Sequence, residues 1–316
     1  MGFLFLNERQ VQELIDLGTL LRELEVGFGQ LSAGEVNAPD RNEIAMPRDA
    51  FLLGMPGHRP GSSMTVKIVT VFEENLERGL PSHLAVICQF DPATGACRAF
   101  IDGTYITAVR TSASAAVSTS LLARTDARVL TILGAGVQGE RHLRTFPLVR
   151  DFEDIRIGSL HLADAERLAE TDPRARAIED FEASVRESDV VALSSHAGAP
   201  IIDPAWVRPG THVTSVGYKP PSGELPAGLL DVATLFVETR EATFEPPPVG
   251  CAELQGVDPA TSVELGEVVN STRPGRTSDA EITVYKAMGH VIEDIVAADI
   301  AYRAAIERGV GQRLQM

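Results

Sequence analysis

Residues 129–143 read VLTILGAGVQGERHL, and they carry the clearest local indication of a fold in this chain. The apolar run 129–133 predicts a buried strand, and Gly134, Gly136 and Gly139 follow it in a GxGxxG pattern that opens a helix. In this context Gly134 allows a tight turn, Gly136 lets the backbone approach a pyrophosphate, and Gly139 lets helix and strand pack closely. The stretch predicts a dinucleotide site at a helix N-terminus, in preference to a glycine turn that only packs a helix on a sheet.

Strands and helices alternate on the C-terminal side of this loop. Further strands are predicted at 155–159, 190–194, 211–216 and 235–237, with a helix at 163–169. This alternation predicts an α/β fold with a Rossmann doubly wound parallel sheet. On the N-terminal side the pattern differs: an amphipathic helix at 7–31, antiparallel strands between 44 and 100 with a hairpin turn at 91–95, and a small-residue helix at 104–124. A last helix at 290–308 is expected to end at Gly309.

Length and charge restrict the class of protein. A chain of 316 residues predicts two domains, and 28 Lys and Arg against 44 Asp and Glu give a formal charge of -16, which disfavours nucleic acid and anionic membranes as partners. The apolar runs are too short to span a bilayer, and we expect a cytoplasmic protein. The 3 cysteines show no CxxC spacing and the 7 histidines no paired spacing, so we expect no metal site.

Three basic residues stand out by their surroundings. Lys67 interrupts the apolar run 64–72, where strand alternation puts it on one face with Val69 and Val71. It could extend to water from an edge strand, which composition favours, or point into a pocket that binds an anion. Arg110 lies in the small-residue helix, where there is space around a guanidinium, and Arg41 follows a Pro-Asp turn. Arg suits a bidentate grip on a carboxylate, whereas the pKa of a Lys can fall in a dry site.

The end of the second predicted strand bears on the choice of dinucleotide. An acid at this point would bind the ribose 2′-hydroxyl of NAD, but the strand runs into Ser159 and His161, and Asp164 comes several residues later. Ser159 can bind a hydroxyl or a 2′-phosphate, and His161 could assist a phosphate. These residues slightly favour NADP, and the choice between NAD and NADP stays open.

An ordered series of motifs resembles the ornithine cyclodeaminase and mu-crystallin family and covers nearly the whole chain. In order, the matching stretches are Arg41, VKIVTVF at 66–72, GLPSH at 79–83, AVRTSASAA at 108–116, ILGAGVQG at 132–139, SVGYKPPSGELP at 215–226 and EITVYKAMGHVIEDIVAAD at 281–299. This ordered set is far more specific than the glycine loop alone.

The resemblance implies an organisation and a set of site residues. It implies an α+β substrate-binding and dimerisation domain at 1–118 with 290–316, a dinucleotide-binding Rossmann domain at 119–289, and a homodimer. It also implies that Arg41, Lys67 and Arg110 hold a substrate carboxylate, Lys67 and Arg110 being the candidate catalytic residues. With the three glycines, the implied dinucleotide contacts are Ser82, Arg110, Val137, Gln138, Ser159, Ser195, Val216 and Gly217.

Two departures from the family pattern guide the functional hypothesis. Cyclising deaminases of the family carry a Glu two residues before a Met-Pro pair, where this chain has Leu53, and an Asp shortly after the glycine matching Gly217, where it has Tyr218 and Lys219. We therefore expect a reductase of small ketimines or cyclic imino acids, or an amino-acid dehydrogenase in reverse. The alternatives are a cyclodeaminase of a diamino acid such as ornithine and a non-catalytic protein that binds NADP or a small ligand.

Overall fold

The computed structural model describes residues 2–315, and the chain forms two compact units. Unit 1 takes the chain up to Arg110 and again from His290 onward, and unit 2 is Thr111–Gly289. The sequence placed the first boundary after residue 118. The structure places it between Arg110 and Thr111, inside one unbroken helix, where no turn or change in composition could mark it.

The strands in chain order are β1 (Gly2–Leu6), β2 (Asn42–Ala45), β3 (Phe51–Gly57), β4 (Met64–Val71), β5 (His83–Phe90), β6 (Cys97–Asp102), β7 (Val129–Leu133), β8 (Asp154–Gly158), β9 (Ala175–Ile178), β10 (Val190–Leu193), β11 (His212–Ser215), β12 (Ala233–Val237), β13 (Val263–Glu264), β14 (Ile282–Lys286) and β15 (Gln312–Gln315). The α-helices are α1 (Glu8–Leu14), α2 (Leu17–Ser32), α3 (Gly103–Leu122), α4 (Val137–Thr145), α5 (Leu162–Ala169), α6 (Phe181–Glu187), α7 (Arg240–Thr243), α8 (Leu265–Val269) and α9 (Val291–Arg308). Short 3₁₀ segments lie at Glu73–Arg78, Phe146–Leu148, Pro204–Trp206, Ala227–Leu229, Ala252–Leu254 and Pro259–Thr261.

Unit 1 is built on a seven-stranded sheet in the order β15-β1-β6-β5-β4-β3-β2. Its strands pair antiparallel, as expected between 44 and 100, except that β1 lies parallel to β6. The hairpin turn predicted at 91–95 is confirmed: Gly95 N donates to Asp91 O at 2.8 Å, and Gly95 takes a φ of 71°.

Helices from both ends of the chain complete unit 1. The single helix predicted at 7–31 is wrong: it is two helices, because Ile15 leaves the helical conformation and the Asp16 carboxylate caps a new helix through Thr19 N. Helix α9 packs against α1, α2, β3 and β4, and ends at Gly309 as expected. Glycine allows this close packing, since a Cβ on Gly57 would lie 2.7 Å from Val291 Cγ1. Strand β4 and helix α9 are thereby brought into contact.

Unit 2 contains an eight-stranded parallel sheet in the order β13-β12-β14-β11-β10-β7-β8-β9. The strand order reverses between β7 and β10, which is the switch point of a doubly wound fold, so the predicted fold class is confirmed. Strand β10 is buried along its whole length, as expected of a parallel strand. In such sheets ligands bind outside the carboxyl ends of the strands at the switch point, and the glycine loop follows β7 at that edge.

Among residues 2–315, no helix is both long enough and apolar enough to cross a bilayer. Over the same range, no group of His, Cys, Asp and Glu side chains is arranged to hold a metal ion.

Candidate functional site

The glycine loop of unit 2 has the geometry that a phosphate cradle requires. Gly134 has a φ of 131°, and a Cβ there would lie 2.4 Å from Ser194 O, because β7 and β10 are neighbours at the switch point. A Cβ on Gly139 would lie 1.9 Å from Gly134 O, so this glycine sets how closely α4 approaches the strand. By contrast, among the described residues other than its chain neighbours, no heavy atom comes within 4 Å of a Cβ placed on Gly136, the N-cap of α4. Space is therefore left at the position where a pyrophosphate would approach.

Side chains beside the cradle fit a bound dinucleotide. Val137 is 63% exposed at the first turn of α4, although it is apolar. Gln138 Oε1 is buried and has no hydrogen-bond partner among the described residues. A buried acceptor without a partner is costly, so its presence two residues after Gly136 fits a ligand that donates to it.

Other residues expected to contact the dinucleotide also lie at the carboxyl edge of the parallel sheet. Ser159 directly follows β8, Ser195 comes two residues after β10, and Val216 and Gly217 follow β11. Their roles as dinucleotide contacts stay predictions. Ser82 belongs to unit 1, where its Oγ lies 3.0 Å from His83 Nδ1 and its carbonyl accepts from Phe72 N at 2.8 Å.

In unit 1, helix α9 places two carboxylates in the protein interior at its first turn. Glu293 and Asp294 have fully buried side chains. His290 caps the helix: its ring Nδ1 accepts from Ile292 N at 3.2 Å, and its backbone N–H donates to Glu293 Oε1 at 3.3 Å. Acids near a helix N-terminus interact favourably with the helix dipole, which offsets part of the cost of burying them.

Lys67 and Arg110 converge on these carboxylates. Lys67 Nζ donates to Asp294 Oδ1 at 3.0 Å and to Oδ2 at 3.1 Å. Arg110 Nε donates to Asp294 Oδ1 at 3.2 Å, and its Nη1 donates to Glu293 Oε2 at 2.7 Å. We call these four residues the Asp294 cluster. Composition favoured a Lys67 that reaches solvent, and this is wrong: the residue is 1% exposed, because it lies on the buried face of β4 beneath α9.

Burial and neighbouring charges change the proton affinities here. Burial first, and then the Arg110 charge, lower the pKa of Lys67 to about 8, with Asp294 opposing them and Arg41 adding to them. Burial, followed by the Arg41 charge, lowers the pKa of His290 to about 4, so its ring is neutral at neutral pH. Because Nδ1 accepts a hydrogen bond, the neutral ring carries its proton on Nε2. Arg41, half-buried just before β2, thus acts electrostatically on both residues.

Sequence reasoning missed the acids that organise these sites. In the stretch VIEDIVAA at 291–298, Glu293 and Asp294 interrupt an otherwise apolar segment, which is a sign of buried, paired charge. Glu224 and Lys286 of unit 2 lie in quoted motifs but had no assigned role, and both are fully buried. The signal available in the sequence was an acid or a lysine within a mainly apolar segment, which indicates a buried charge.

These features define a two-domain α/β protein with a Rossmann-type unit and a glycine loop at its switch point. The sequence profile described as the ornithine cyclodeaminase/mu-crystallin family matches residues 3–309. The chain belongs to this family, which confirms the resemblance carried by its motifs.

Individual relatives match over their whole length. The ketimine reductase mu-crystallin of Mus musculus is 34% identical over 306 residues, which cover 94% of this chain and 96% of that protein. The solved structure of Thermococcus litoralis Delta(1)-pyrroline-2-carboxylate reductase in complex with NADH and L-proline is similar with a TM-score of 0.92 at 32% identity, covering 98% of this chain and 99% of that one. An archaeal alanine dehydrogenase dimer with bound NAD gives a TM-score of 0.93 at 26% identity, with 100% of both chains covered.

Two substitutions in the glycine loop should separate folding from ligand binding. Gly139→Ala forces a Cβ against Gly134 O and should lower the free energy of unfolding by about 2–3 kcal/mol. Gly136→Val meets open space and should cost about 1 kcal/mol or less, yet its side chain occupies the expected pyrophosphate position and should abolish dinucleotide binding. Urea unfolding and fluorescence titration with NADH or NADPH measure the two effects. Native affinity in Gly136→Val would show that the phosphates bind elsewhere.

Proposed function

We propose that this chain is an NAD(P)H-dependent reductase of small ketimines and cyclic imino acids, which in reverse acts as an amino-acid dehydrogenase. The observation that carries the proposal is the Asp294 cluster, in which a buried lysine and a buried arginine share one carboxylate. Replacing buried ion pairs with apolar residues is often neutral or stabilising, so their presence calls for a purpose other than folding. The relatives reported above are named as reductases of ketimines and of pyrroline-2-carboxylate and as an alanine dehydrogenase, and they support the same class of reaction.

The charges in unit 1 suit a substrate that carries a carboxylate. Lys67 and Arg110 form buried ion pairs with Glu293 and Asp294, and Arg41 adds a further positive charge that acts on Lys67 and on the neutral His290. A carboxylate that enters this region is attracted by these cations, and a guanidinium can bind it in two-point fashion. Anchoring by the carboxylate would fix the adjacent C=N carbon, the atom that accepts hydride.

Reduction of the C=N bond needs a hydride on carbon and a proton on nitrogen. The bound dinucleotide supplies the hydride. Lys67 is the proposed proton donor, because a pKa of about 8 leaves the ammonium largely protonated at neutral pH and yet able to release its proton. Asp294 holds the ammonium in place through both oxygens and stabilises its charge. In the reverse direction the neutral Lys67 amine would accept the proton from the substrate amine.

The surroundings of Lys67 argue against ring-closing deamination. On β3 and β4, Met55 pairs with Lys67 and Leu53 pairs with Val69, so all four side chains share one face of the sheet. Leu53 is 5% exposed and apolar at the position where cyclising deaminases of the family carry a Glu. The face around Lys67 therefore lacks the acid that the resemblance associates with ammonia loss and ring closure.

The two units divide the work in this proposal. Unit 2 binds the dinucleotide with its glycine loop, through Gly134, Gly136, Val137, Gln138 and Gly139, together with Ser159, Ser195, Val216 and Gly217. Unit 1 binds the substrate carboxylate through Arg41, Lys67 and Arg110, and contributes Ser82 to the dinucleotide contacts. We further propose a homodimer, in line with the archaeal alanine dehydrogenase, whose structure is that of a dimer.

A direct assay tests the activity. The protein should oxidise NADH or NADPH in the presence of pyrroline-2-carboxylate, piperideine-2-carboxylate or linear 2-imino acids formed from oxo acids and amines. One dinucleotide should be consumed per imine, as measured by the loss of absorbance of the reduced dinucleotide. A cyclodeaminase would instead release ammonia from ornithine with no net change in dinucleotide absorbance. A protein that binds dinucleotide and turns over none of these substrates would be a binding protein, and the proposal would be rejected.

Removal of the Lys67 charge should greatly slow turnover and leave dinucleotide binding intact. Lys67→Met keeps most of the buried volume and leaves Asp294 paired with Arg110, so the protein should fold, while kcat/KM for imine reduction falls by ~10²–10⁴-fold. Thr65→Val changes a buried residue on the same face of β4 without altering charge, and its kcat/KM should stay within about twofold of wild type. Wild-type rates in Lys67→Met would exclude Lys67 from the mechanism.

The same lysine predicts opposite pH dependences for the two directions. Reduction needs the ammonium, so kcat/KM for the imine should fall as pH rises through about 8, whereas kcat/KM for amino-acid oxidation should rise through the same pH. The residual activity of Lys67→Met should lack this ionisation. If the change of kcat/KM near pH 8 persists in the variant, the ionisation belongs to the substrate or to another group.

A cavity in unit 2 favours NADH over NADPH. It measures about 320 Å³ and lies at the carboxyl ends of β8 and β9, where the adenosine ribose binds in doubly wound folds. Its lining comprises Ser159, Leu160, Leu162, Ile178, Glu179 and Phe181. No member of this set is cationic and Glu179 is an acid, so the lining offers a hydroxyl and a negative charge to the 2′ position. A 2′-phosphate dianion would meet repulsion here, which argues against the lean to NADP given by Ser159 and His161.

Removal of the Glu179 charge should relax this preference. In Glu179→Gln, kcat/KM for NADPH should rise about threefold to tenfold, as expected for loss of one charge near the phosphate in a hydrated cavity, while the value for NADH stays within about twofold. Glu182→Gln is the matched control, since Glu182 is exposed on α6 and pairs with Arg186 outside the lining. A wild-type enzyme with higher kcat/KM for NADPH would refute the assignment.

A further inference from the structure

One carboxylate in unit 2 connects the loops after two neighbouring strands. Glu224 is fully buried in the segment between β11 and β12. Its Oε2 accepts from Ser195 N and Ser195 Oγ, both at 2.7 Å. Its Oε1 accepts from Gly217 N at 2.7 Å and from Ser215 Oγ at 3.0 Å. Glu224 thus satisfies donors that follow β10 and donors that end β11, and we call these contacts the Glu224 clamp.

The clamp begins where the sheet ends. Strands β10 and β11 pair in parallel up to Leu193 and Ser215, and Val216 N still donates to Leu193 O at 3.2 Å. One step further along each chain segment, the backbone N–H groups of Ser195 and Gly217 both turn to Glu224. The carboxylate therefore replaces the neighbouring strand as the hydrogen-bond acceptor, and it fixes the two loops at the edge where doubly wound folds bind their ligand.

Close packing leaves the clamp little freedom to rearrange. A Cβ on Gly217 would lie 2.5 Å from Glu224 Cδ and 2.7 Å from Ser195 O, so only glycine allows this approach. A carboxylate that accepts two backbone N–H bonds and two hydroxyl bonds has little unused acceptor capacity. Hydrogen bonds to a charged acceptor such as this carboxylate are among the stronger hydrogen bonds in proteins.

A buried lysine contacts the clamp from the end of β14. Lys286, at the end of β14, donates to Ser215 Oγ at 3.1 Å, to Gly217 O at 2.8 Å and to Glu253 Oε1 at 3.0 Å. Ser215 is therefore a bridge, since its hydroxyl accepts from Lys286 and donates to Glu224. Burial acts against the Lys286 charge, but the surrounding acidic groups raise its pKa overall. The turn at Gly217 is held from both sides, its N–H by Glu224 and its carbonyl by Lys286.

We infer that Glu224 is a positioning residue for the dinucleotide: it holds Ser195 and the Val216-Gly217 turn in the arrangement that receives the cofactor, without touching the cofactor itself. This inference rests on the proposed function, because Ser195, Val216 and Gly217 are dinucleotide contacts only within that proposal. The inference adds to the dinucleotide site a residue that acts on binding only by fixing the two loops. Release of the clamp should weaken dinucleotide binding even though every contact residue is still present.

Glu224→Gln tests the inference with little change in shape. The amide retains one acceptor oxygen, and its NH₂ group must then face a backbone N–H of Ser195 or Gly217, donor against donor. The dissociation constant for NADH, measured by fluorescence titration in the absence of substrate, should rise about tenfold or more. With NADH saturating, kcat for imine reduction should fall by less than about threefold, because the Asp294 cluster is untouched.

A matched variant separates positioning from a general loss of stability. Ser215→Ala removes one hydroxyl from the same clamp and leaves both loop N–H groups bonded to Glu224, so it should lower Tm while the dissociation constant for NADH changes less than about threefold. If Glu224→Gln does not fold, Glu224→Asp takes its place with the same expected weakening, since a side chain shorter by one methylene reaches only one of the two loops.

The outcomes distinguish this inference from the proposed function. A wild-type protein that binds neither NADH nor NADPH would refute the proposed function, and with it the basis of the inference. A wild-type protein that binds NADH, together with a Glu224 variant that binds it equally well and differs only in Tm, would refute the inference alone. Equal weakening by Ser215→Ala and Glu224→Gln would also refute it, since general destabilisation would then account for the loss.

Discussion

A lysine that is removed from water must find a carboxylate, and the arrangement of unit 1 follows from this constraint. Lys67 on β4 and Arg110 on α3 both reach Asp294 on α9, so a strand, a helix and the returning C-terminal helix are held by one acid. Loss of one partner from a buried ion pair leaves an uncompensated charge and costs about 3–5 kcal/mol. The contact of α9 with the sheet is therefore sensitive to the loss of any one partner, and the cluster keeps two cations at fixed positions.

Unit 2 solves a similar problem with a different pairing. Here Glu224 accepts four hydrogen bonds from groups that follow β10 or lie at the end of β11, and Lys286, whose ion-pair partner is Glu253, donates to Ser215 Oγ and Gly217 O. Each unit thus uses a fully buried carboxylate to fix residues that belong to different elements. The difference lies in what is fixed: side-chain cations in unit 1, and backbone loops at the edge of a parallel sheet in unit 2.

The chemistry assigned to the protein depends on which buried groups are polar and which are apolar. A lysine with a pKa of about 8 suits proton transfer to or from an amine near neutral pH. Leu53, on the same face of the sheet, supplies no acid for a second step on the amine. One proton carrier is sufficient for hydride addition to a C=N bond, whereas ring closure with loss of ammonia needs further acid-base groups.

Features that depend on neighbours in the chain could be predicted from the sequence. The glycine loop after β7, the hairpin at 91–95, the αL cap at Gly309 and the parallel class of the second sheet were all predicted, because glycine conformation and hydrophobic periodicity act over a few residues. The break between α1 and α2 was missed, since the apolar periodicity continues across the Asp16 cap. The family, too, was evident from the order of the motifs.

The partners of the site residues were decided only by the tertiary structure. Lys67 and Asp294 are 227 positions apart, and no local pattern pairs a lysine on a strand with an acid on the last helix. For this reason the sequence left Lys67 between solvent and a pocket, and left Glu224 without a role although its motif was recognised. Burial and ion pairing depend on which elements pack together, and packing brings together side chains that the chain itself keeps far apart.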